Sequence, residues 1–182
     1  MTINKMLLKT AAAAAVMMAF QAPSYAVDSA SLELGTGNHT TVIRGAVQWQ
    51  WKNTAWWQSN GTHISGYWDL SFADWREKRY NNTDSTHNLY DVGFTPVFRF
   101  ERDSRKGPYA EAGVGLHLAS ELYNNNDKHF STAFQFGDHI GAGYVFNNGI
   151  DLGIRLQHLS NGGIKHPNGG VNYALVRVGY GF

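Results

Sequence analysis

Apolar and polar residues alternate along much of the chain, in segments of about ten residues separated by polar connections. Alternation with a period of two is typical of β-strands, because successive side chains of a strand point to opposite faces. Eight such segments can be traced along the sequence. They are Ser29–Gly37, Thr41–Lys52, His63–Trp75, Asn88–Glu101, Tyr109–Ser120, Ser131–Phe146, Ile150–Ser160 and Val171–Phe182. The pattern therefore predicts an all-β fold.

The connections between the segments indicate which all-β fold this is. Short turns at Arg102–Gly107 and Asn147–Gly149 alternate with longer polar loops at Arg76–His87, Glu121–Phe130 and Asn161–Gly170. Outer-membrane barrels have short turns on the periplasmic rim and longer loops on the extracellular rim. The chain also ends on an aromatic residue, as such barrels commonly do. We predict an eight-stranded antiparallel transmembrane β-barrel in the bacterial outer membrane.

The first 26 residues have the features of an export signal. Lys5 and Lys9 precede the apolar run Ala11–Phe20, which is too short to span a bilayer as a helix. Small residues follow at Ser24 and Ala26, where a signal peptidase would cut. We expect residues 1–26 to be a signal peptide and residues 27–182 to form the barrel domain.

Composition excludes several alternatives. The 15 Lys and Arg residues nearly balance the 14 Asp and Glu residues, which argues against nucleic acid as a partner. The chain has no cysteine, so no disulfide is expected. The histidines show no metal-ligand spacing, and the Asn- and Asp-containing runs 81–84 and 124–127 fit solvated loops better than a calcium site. A secreted, soluble β-protein stays an alternative, since a membrane barrel has a similar average composition.

Alternation also assigns side chains to the lumen or to the lipid. A charged network in the lumen is expected from Arg99, Glu101, Glu111, Arg155 and Arg177. Aromatic girdles at the two membrane interfaces are expected from Trp49, Trp51, Trp56, Trp57, Trp68 and Trp75.

The seventh segment carries candidate chemistry on its lipid-facing side. Its apolar row from Ile150 to Leu156 continues, two residues at a time, to His158 and Ser160. Counting back from the C-terminus along the eighth segment places Asn172 on the same outer face. A hairpin that is symmetric about Lys165 sets Asn172 directly across from His158, with Cβ atoms about 5 Å apart.

These three residue types can together activate a nucleophile. A serine hydroxyl is a weak nucleophile and needs an adjacent base, for which histidine is suited near neutral pH. A third group that accepts a hydrogen bond from the other ring nitrogen fixes the tautomer of the histidine, and an asparagine carbonyl can do this. The patch lies where the seventh segment meets the last long loop, at the height of outer-leaflet head groups. A lipid substrate suits that position better than a soluble one.

The stretch Arg155–Asn172 resembles the C-terminal signature of lipid A 3-O-deacylases of the PagL type. The His-x-Ser-Asn core at His158–Asn161 and the Pro-Asn-x-Gly sequence at Pro167–Gly170 carry the resemblance. It implies a serine esterase that hydrolyses the ester-linked 3-position acyl chain of lipid A in the outer leaflet. The substrate partner would be lipid A or lipopolysaccharide, and no metal or organic cofactor would be needed.

The resemblance also implies roles for individual residues. Ser160 matches the nucleophile and His158 the base. Asn168 and the backbone of Gly163 match the oxyanion hole. The family often has Glu as the third member of the triad, whereas this chain has Asn172 at the matching position.

Two other functions remain open on the sequence alone. A non-catalytic small barrel, of adhesin or structural type, would retain all its properties after Ser160→Ala. An outer-membrane acyltransferase would pass the acyl chain to an acceptor other than water, so free fatty acid would not accumulate. A homodimer also remains open.

Overall fold

The computed structural model describes residues 26–52 and 56–182, so the predicted signal peptide lies outside the described residues apart from Ala26. Eleven strands are present in this part of the chain. They are β1 (Ser29–Gly37), β2 (Thr40–Gln50), β3 (Gln58–Ser59), β4 (Thr62–Tyr80), β5 (Ser85–Arg102), β6 (Gly107–Ala119), β7 (Asn124–Asn125), β8 (Lys128–His129), β9 (Phe134–Val145), β10 (Ile150–Ser160) and β11 (Val171–Gly181). Within the described ranges, no helix is long and apolar enough to cross a membrane.

The eight long strands form a closed antiparallel barrel. Neighbouring strands follow the order β2-β1-β11-β10-β9-β6-β5-β4, and pairing of β2 with β4 closes the ring. The predicted fold class is thereby confirmed. The order also places β10 and β4 four strands apart in either direction, on opposite sides of the barrel. Closure leaves none of the eight strands with an unpaired edge, which is what a sheet in lipid requires.

The hairpin of β4 and β5 rises higher than the sequence pattern predicts. The expected loop Arg76–His87 is wrong, because Glu77 pairs with His87 and Tyr80 pairs with Ser85, leaving only residues 81–84 as the turn. Asn81 and Asn82 have φ of 53° and 58°, the left-handed backbone that tight hairpins favour. Above the bilayer both strand faces meet polar surroundings, so the hydrophobic alternation fades although the strands continue.

The periplasmic half of the lumen holds a charged network. Arg99 and Arg155 each bond to Glu111, at 2.7 and 2.8 Å, and Arg177 bonds to Asp151 at 3.1 Å. The predicted network is thus confirmed for these arginines and Glu111. Glu101 is an exception, because it lies outside that cluster and accepts a bond from Ser65 instead, at 2.7 Å. Charge-assisted bonds of this kind allow a small barrel to fill its interior without a pore.

The extracellular half of the lumen is filled by apolar side chains. The cluster consists of Val42, Ala73, Trp75, Leu89, Ala119, Tyr123, Phe130, Leu159, Val171, Tyr173 and Leu175. Tyr123 and Phe130 reach it from the connection between β6 and β9, which also contains the small β7–β8 hairpin. The predicted position of Trp75 in an interfacial girdle is wrong. Trp75 is 1% exposed, because the odd-numbered residues of β4 face the lumen. Trp68 belongs to the even-numbered row, which faces outward.

Candidate active site

His158 and Ser160 lie at the extracellular end of β10 and face outward, as alternation predicts. Leu159 between them points inward and is 1% exposed within the apolar cluster of the lumen. Leu156, the preceding residue of the outer row, is 56% exposed towards the lipid. The inward anchor at Leu159 fixes the strand, so the two polar side chains are held on the outer wall.

The structure pairs His158 with Asn172 of β11, in the register that hairpin symmetry predicts. The Nδ1 atom of His158 and the Oδ1 atom of Asn172 are 2.7 Å apart. Since an amide oxygen only accepts, Nδ1 donates the proton and Nε2 carries the free lone pair. Nε2 is the nitrogen that a general base needs. Ser160 lies two residues further along the same face, about 6.6 Å from His158 at Cα, and its Oγ has no hydrogen bond within the described part of the chain.

Gly170 supports the other side of the imidazole. A Cβ atom added at Gly170 would lie 2.7 Å from Cε1 and 3.3 Å from Nε2 of His158, and its φ of +56° also favours glycine. The ring is therefore confined between the Asn172 amide and the Gly170 backbone. This confinement limits the imidazole to a small range of orientations.

Asn161 organises the loop between β10 and β11. It is fully buried, and its Nδ2 atom donates to Ser131 Oγ at 3.0 Å and to the Lys165 carbonyl at 2.8 Å. Its backbone N–H donates to Asn168 Oδ1 at 3.1 Å. From the sequence alone, Asn161 looks like an ordinary turn residue, because its partner Ser131 belongs to a different loop. No sequence signal identifies this anchoring role.

The two residues that the resemblance assigns to the oxyanion hole differ in whether their hydrogen-bond donors are already used. Asn168 uses its Oδ1 atom to accept from Asn161, which orients its Nδ2 amide away from that bond. The backbone N–H of Gly163 donates to Asn161 Oδ1 at 3.0 Å. Asn168 therefore has a side-chain donor to offer, whereas Gly163 has to exchange its present partner before it can bind an oxyanion.

A groove of about 1050 Å³ starts at His158 and Asn172 and runs along the outer wall across several strands. Small outward-facing residues, Ala112 and Ala174, give it depth, and larger apolar side chains flank it. Those flanking side chains are Phe98, Val114, Ile140 and Leu156. The groove is apolar along its length and polar at the end formed by His158 and Asn172, which suits a fatty acyl chain with an ester at its head.

Across residues 26–52 and 56–182, no three His, Cys, Asp or Glu side chains come together in a way that could hold a metal ion.

Comparison with known proteins gives the chain its family. The family model for lipid A 3-O-deacylase (PagL) matches residues 42–181. The lipid A deacylase PagL of Pseudomonas aeruginosa is 34% identical over 174 residues, which cover 94% of this chain and 96% of that protein. The lipid A deacylase PagL of Bordetella bronchiseptica is 37% identical over 98 residues, covering 54% of this chain and 53% of that protein.

Solved structures agree with the sequence relatives. The crystal structure of the outer membrane enzyme PagL matches with a TM-score of 0.73 and 27% identity, covering 85% of this chain and 99% of the other. The N-terminal β-barrel domain of Pseudomonas aeruginosa OprF matches with a TM-score of 0.58, 13% identity and coverage of 86% and 98%, which shows a shared fold. This chain is therefore an outer-membrane β-barrel that belongs to the PagL family of lipid A 3-O-deacylases.

Proposed function

We propose that this chain removes the 3-position acyl chain of lipid A, with Ser160 as nucleophile, His158 as general base and Asn172 as the residue that orients His158. The observation that carries the proposal is the 2.7 Å contact between His158 Nδ1 and Asn172 Oδ1 on the lipid-facing wall. This contact leaves His158 Nε2 free on the same outer face as the Ser160 hydroxyl, at one end of the apolar groove. A base, a nucleophile and a groove for an acyl chain thus lie together on one wall.

The first half of the reaction transfers the acyl group to the enzyme. Ser160 Oγ attacks the ester carbonyl carbon while His158 Nε2 takes the hydroxyl proton. The bond between the carbonyl carbon and the sugar oxygen then breaks. His158 returns the proton to that oxygen, so the deacylated lipid leaves as an alcohol and Ser160 carries the acyl ester.

The second half releases the fatty acid. Water attacks the acyl ester as His158 Nε2 takes a proton from it, and the bond to Ser160 Oγ breaks with return of that proton to the serine. Asn172 keeps Nδ1 protonated in both halves, so Nε2 stays available. The neutral amide of Asn172 performs the orienting role without the charge that a glutamate would supply.

Donors from the loop between β10 and β11 would stabilise the negative charge on the carbonyl oxygen. Asn168 Nδ2 and the Gly163 N–H are the candidates. Removing one donor from an oxyanion hole typically lowers kcat by about 10²–10³-fold. Because Gly163 now donates to Asn161 Oδ1, substrate binding would have to release that N–H.

Substrate reaches the site from within the membrane. The groove opens on the outer wall, so an acyl chain can enter sideways from the outer leaflet without passing through the lumen. The lumen itself is filled by the charged network and the apolar cluster. All proposed catalytic groups belong to one chain and one hairpin, so the reaction needs no second copy; a homodimer stays a prediction.

The test is to incubate the detergent-purified protein with purified lipid A and to follow the lipid mass. We expect wild type to remove one acyl chain and release it as free fatty acid, whereas Ser160→Ala does neither. Transfer of the chain to another lipid, without free fatty acid, would favour the acyltransferase alternative. No mass change with a protein that shows the heat-modifiable gel migration of a folded barrel would favour a non-catalytic barrel.

A further inference from the structure

Basic residues from two different loops meet beside the catalytic loop. Lys165 and His166 belong to the loop between β10 and β11, and both are exposed. Lys128 and His129 form β8, in the connection between β6 and β9, and Lys128 is exposed. The loops contact each other, so four residues that are distant in sequence share one part of the extracellular rim.

Specific bonds hold the two loops together. Lys128 Nζ donates to the Gly169 carbonyl at 3.1 Å, and the Gly169 N–H donates to the His129 carbonyl at 3.1 Å. Ser131 Oγ donates to the Lys165 carbonyl at 2.8 Å. These contacts fix where Lys128 lies relative to the catalytic loop.

The Lys128 ammonium is close to the catalytic histidine. It contacts Gly169, and the next residue, Gly170, supports the imidazole of His158 on its Cε1 and Nε2 side. Gly169 and Gly170 are adjacent in the chain, so the ammonium and the imidazole contact neighbouring residues of one loop. An ammonium has three donors, and Lys128 uses one of them on Gly169.

The acidic groups nearby do not neutralise this cluster. Asp127 is directed away from it, because its Oδ1 atom accepts from Asn82 Nδ2 at 2.5 Å on the β4–β5 side. Asp138 pairs with His158 in the β9–β10 register and lines the groove on the outer wall below the loops. Within the described ranges, neither carboxylate forms an ion pair with Lys128 or Lys165, so both ammonium groups stay available to an anion.

We propose that Lys128 and Lys165 form a subsite for a phosphate group carried by the sugar of the lipid substrate. This inference rests on the proposed function, since it places the phosphate by the position of the ester at Ser160. Lipid A carries phosphate on its sugars, and lysine binds phosphate as a point charge through its ammonium donors. The subsite holds the sugar while the groove holds the acyl chain, so the ester lies between two fixed points.

Kinetics on two substrates test the subsite. Apparent KM and kcat are measured in non-ionic detergent for Lys128→Gln and Lys165→Gln, with phosphorylated lipid A and with enzymatically dephosphorylated lipid A. On the phosphorylated lipid we expect apparent KM to rise about tenfold for Lys128→Gln and about threefold for Lys165→Gln, with kcat within about twofold. On the dephosphorylated lipid both variants should equal wild type.

Lys52→Gln is the control. Lys52 is an exposed lysine that follows β2 on the periplasmic side, away from both loops, and its loss should change neither constant. Equal KM increases on both lipids would overturn the proposal, because they would show a disturbed loop instead of a lost phosphate contact. Unchanged KM on the phosphorylated lipid would overturn it as well.

A binding measurement separates this inference from the proposed function. Equilibrium binding of phosphorylated and dephosphorylated lipid A is measured for Ser160→Ala with and without Lys128→Gln. The phosphorylated lipid should bind Ser160→Ala about tenfold more tightly than the dephosphorylated lipid, and Lys128→Gln should remove most of that difference. Equal binding of the two lipids to Ser160→Ala would refute the subsite even if wild type deacylates lipid A.

Discussion

Two pairs of polar side chains face outward on opposite walls of this barrel, and only one of them forms part of a candidate active site. On the β4–β5 wall, Asn88 Nδ2 donates to Asp74 Oδ1 at 2.8 Å. On the β10–β11 wall, His158 Nδ1 donates to Asn172 Oδ1 at 2.7 Å. Both bonds cross between neighbouring strands near the extracellular end, where the wall leaves the hydrocarbon region.

The difference lies in what surrounds each pair. The pair of Asp74 and Asn88 contains no imidazole, and neither residue lines the groove. The His158 pair has a hydroxyl two residues away at Ser160, a glycine that confines the ring and a groove that begins at its side. An outward polar pair therefore marks only the height of the membrane boundary. A base with a free lone pair, a nucleophile and a lipid-sized groove together indicate chemistry.

Of the substitutions that separate the two walls, removing the proposed nucleophile should lower the deacylation rate most. Ser160→Ala is expected to lower the deacylation rate by about 10⁴-fold or more, because the acyl-enzyme can no longer form. The rate is measured as fatty acid released from lipid A. Ser85→Ala removes a hydroxyl from the far wall at the same rim and should leave the rate within about twofold of wild type. Residual activity of Ser160→Ala within tenfold of wild type would assign the nucleophile to another residue.

Removing the orienting oxygen should have the next largest effect. Asn172→Leu is expected to lower kcat by about 10–100-fold, because His158 loses the acceptor that fixes its tautomer. Asn172→Asp keeps an acceptor oxygen at the same reach and should restore most of the rate. Asn88→Leu makes the same change in the pair on the other wall and should leave kcat unchanged. A loss of kcat in Asn88→Leu that equals that of Asn172→Leu would show that both substitutions act through the barrel as a whole.

A methyl group at Gly170 should have a smaller effect. In Gly170→Ala the new Cβ lies 2.7 Å from His158 Cε1 unless the ring moves, so we expect kcat to fall about tenfold. Gly61→Ala is the control, since Gly61 has a similar backbone with φ of +76° and nothing within 4 Å of the added atom. Both variants carry the strain of a left-handed alanine. Wild-type kcat in Gly170→Ala would show that the ring is not confined as the structure indicates.

Weakening the contact between the loops should have the smallest effect. Ser131→Ala removes the bond to the Lys165 carbonyl and the acceptor for Asn161 Nδ2. Because Asn161 keeps its bonds to Lys165, Asn168 and Gly163, we expect kcat to fall only about two- to fivefold. Thermal unfolding in detergent, followed by circular dichroism, should show little change. A loss as large as that of Asn172→Leu would assign Ser131 a direct part in the reaction.

The hairpin of β10 and β11 could be predicted from sequence because its strands are regular. β10 and β11 each run for 11 residues without a bulge, so counting in twos places every side chain on its face. Hairpin symmetry then gives the His158–Asn172 pair. The whole inference uses neighbours along the chain and one turn.

Features that depend on distant strands could not be predicted in this way. The groove is built by residues of β1, β5, β6, β9, β10 and β11, whose relative heights depend on the stagger of the closed barrel. Tyr123 and Phe130 lie in a mostly polar connection with no repeating apolar pattern, so no periodicity shows that they fill the barrel mouth. The expected loop at Arg76–His87 was wrong for a related reason, since strand pairing continues where the hydrophobic alternation ends.

Covalent labelling of the nucleophile tests the central claim most directly. The folded protein in detergent is treated with a lipophilic fluorophosphonate, and the modified residue is located by intact mass and peptide mapping. We predict one adduct on Ser160 in wild type and none in Ser160→Ala, with labelling strongly slowed in His158→Gln. An adduct on a different serine, or continued lipid A deacylation by a protein that is fully labelled elsewhere, would contradict the assignment of Ser160 as the nucleophile.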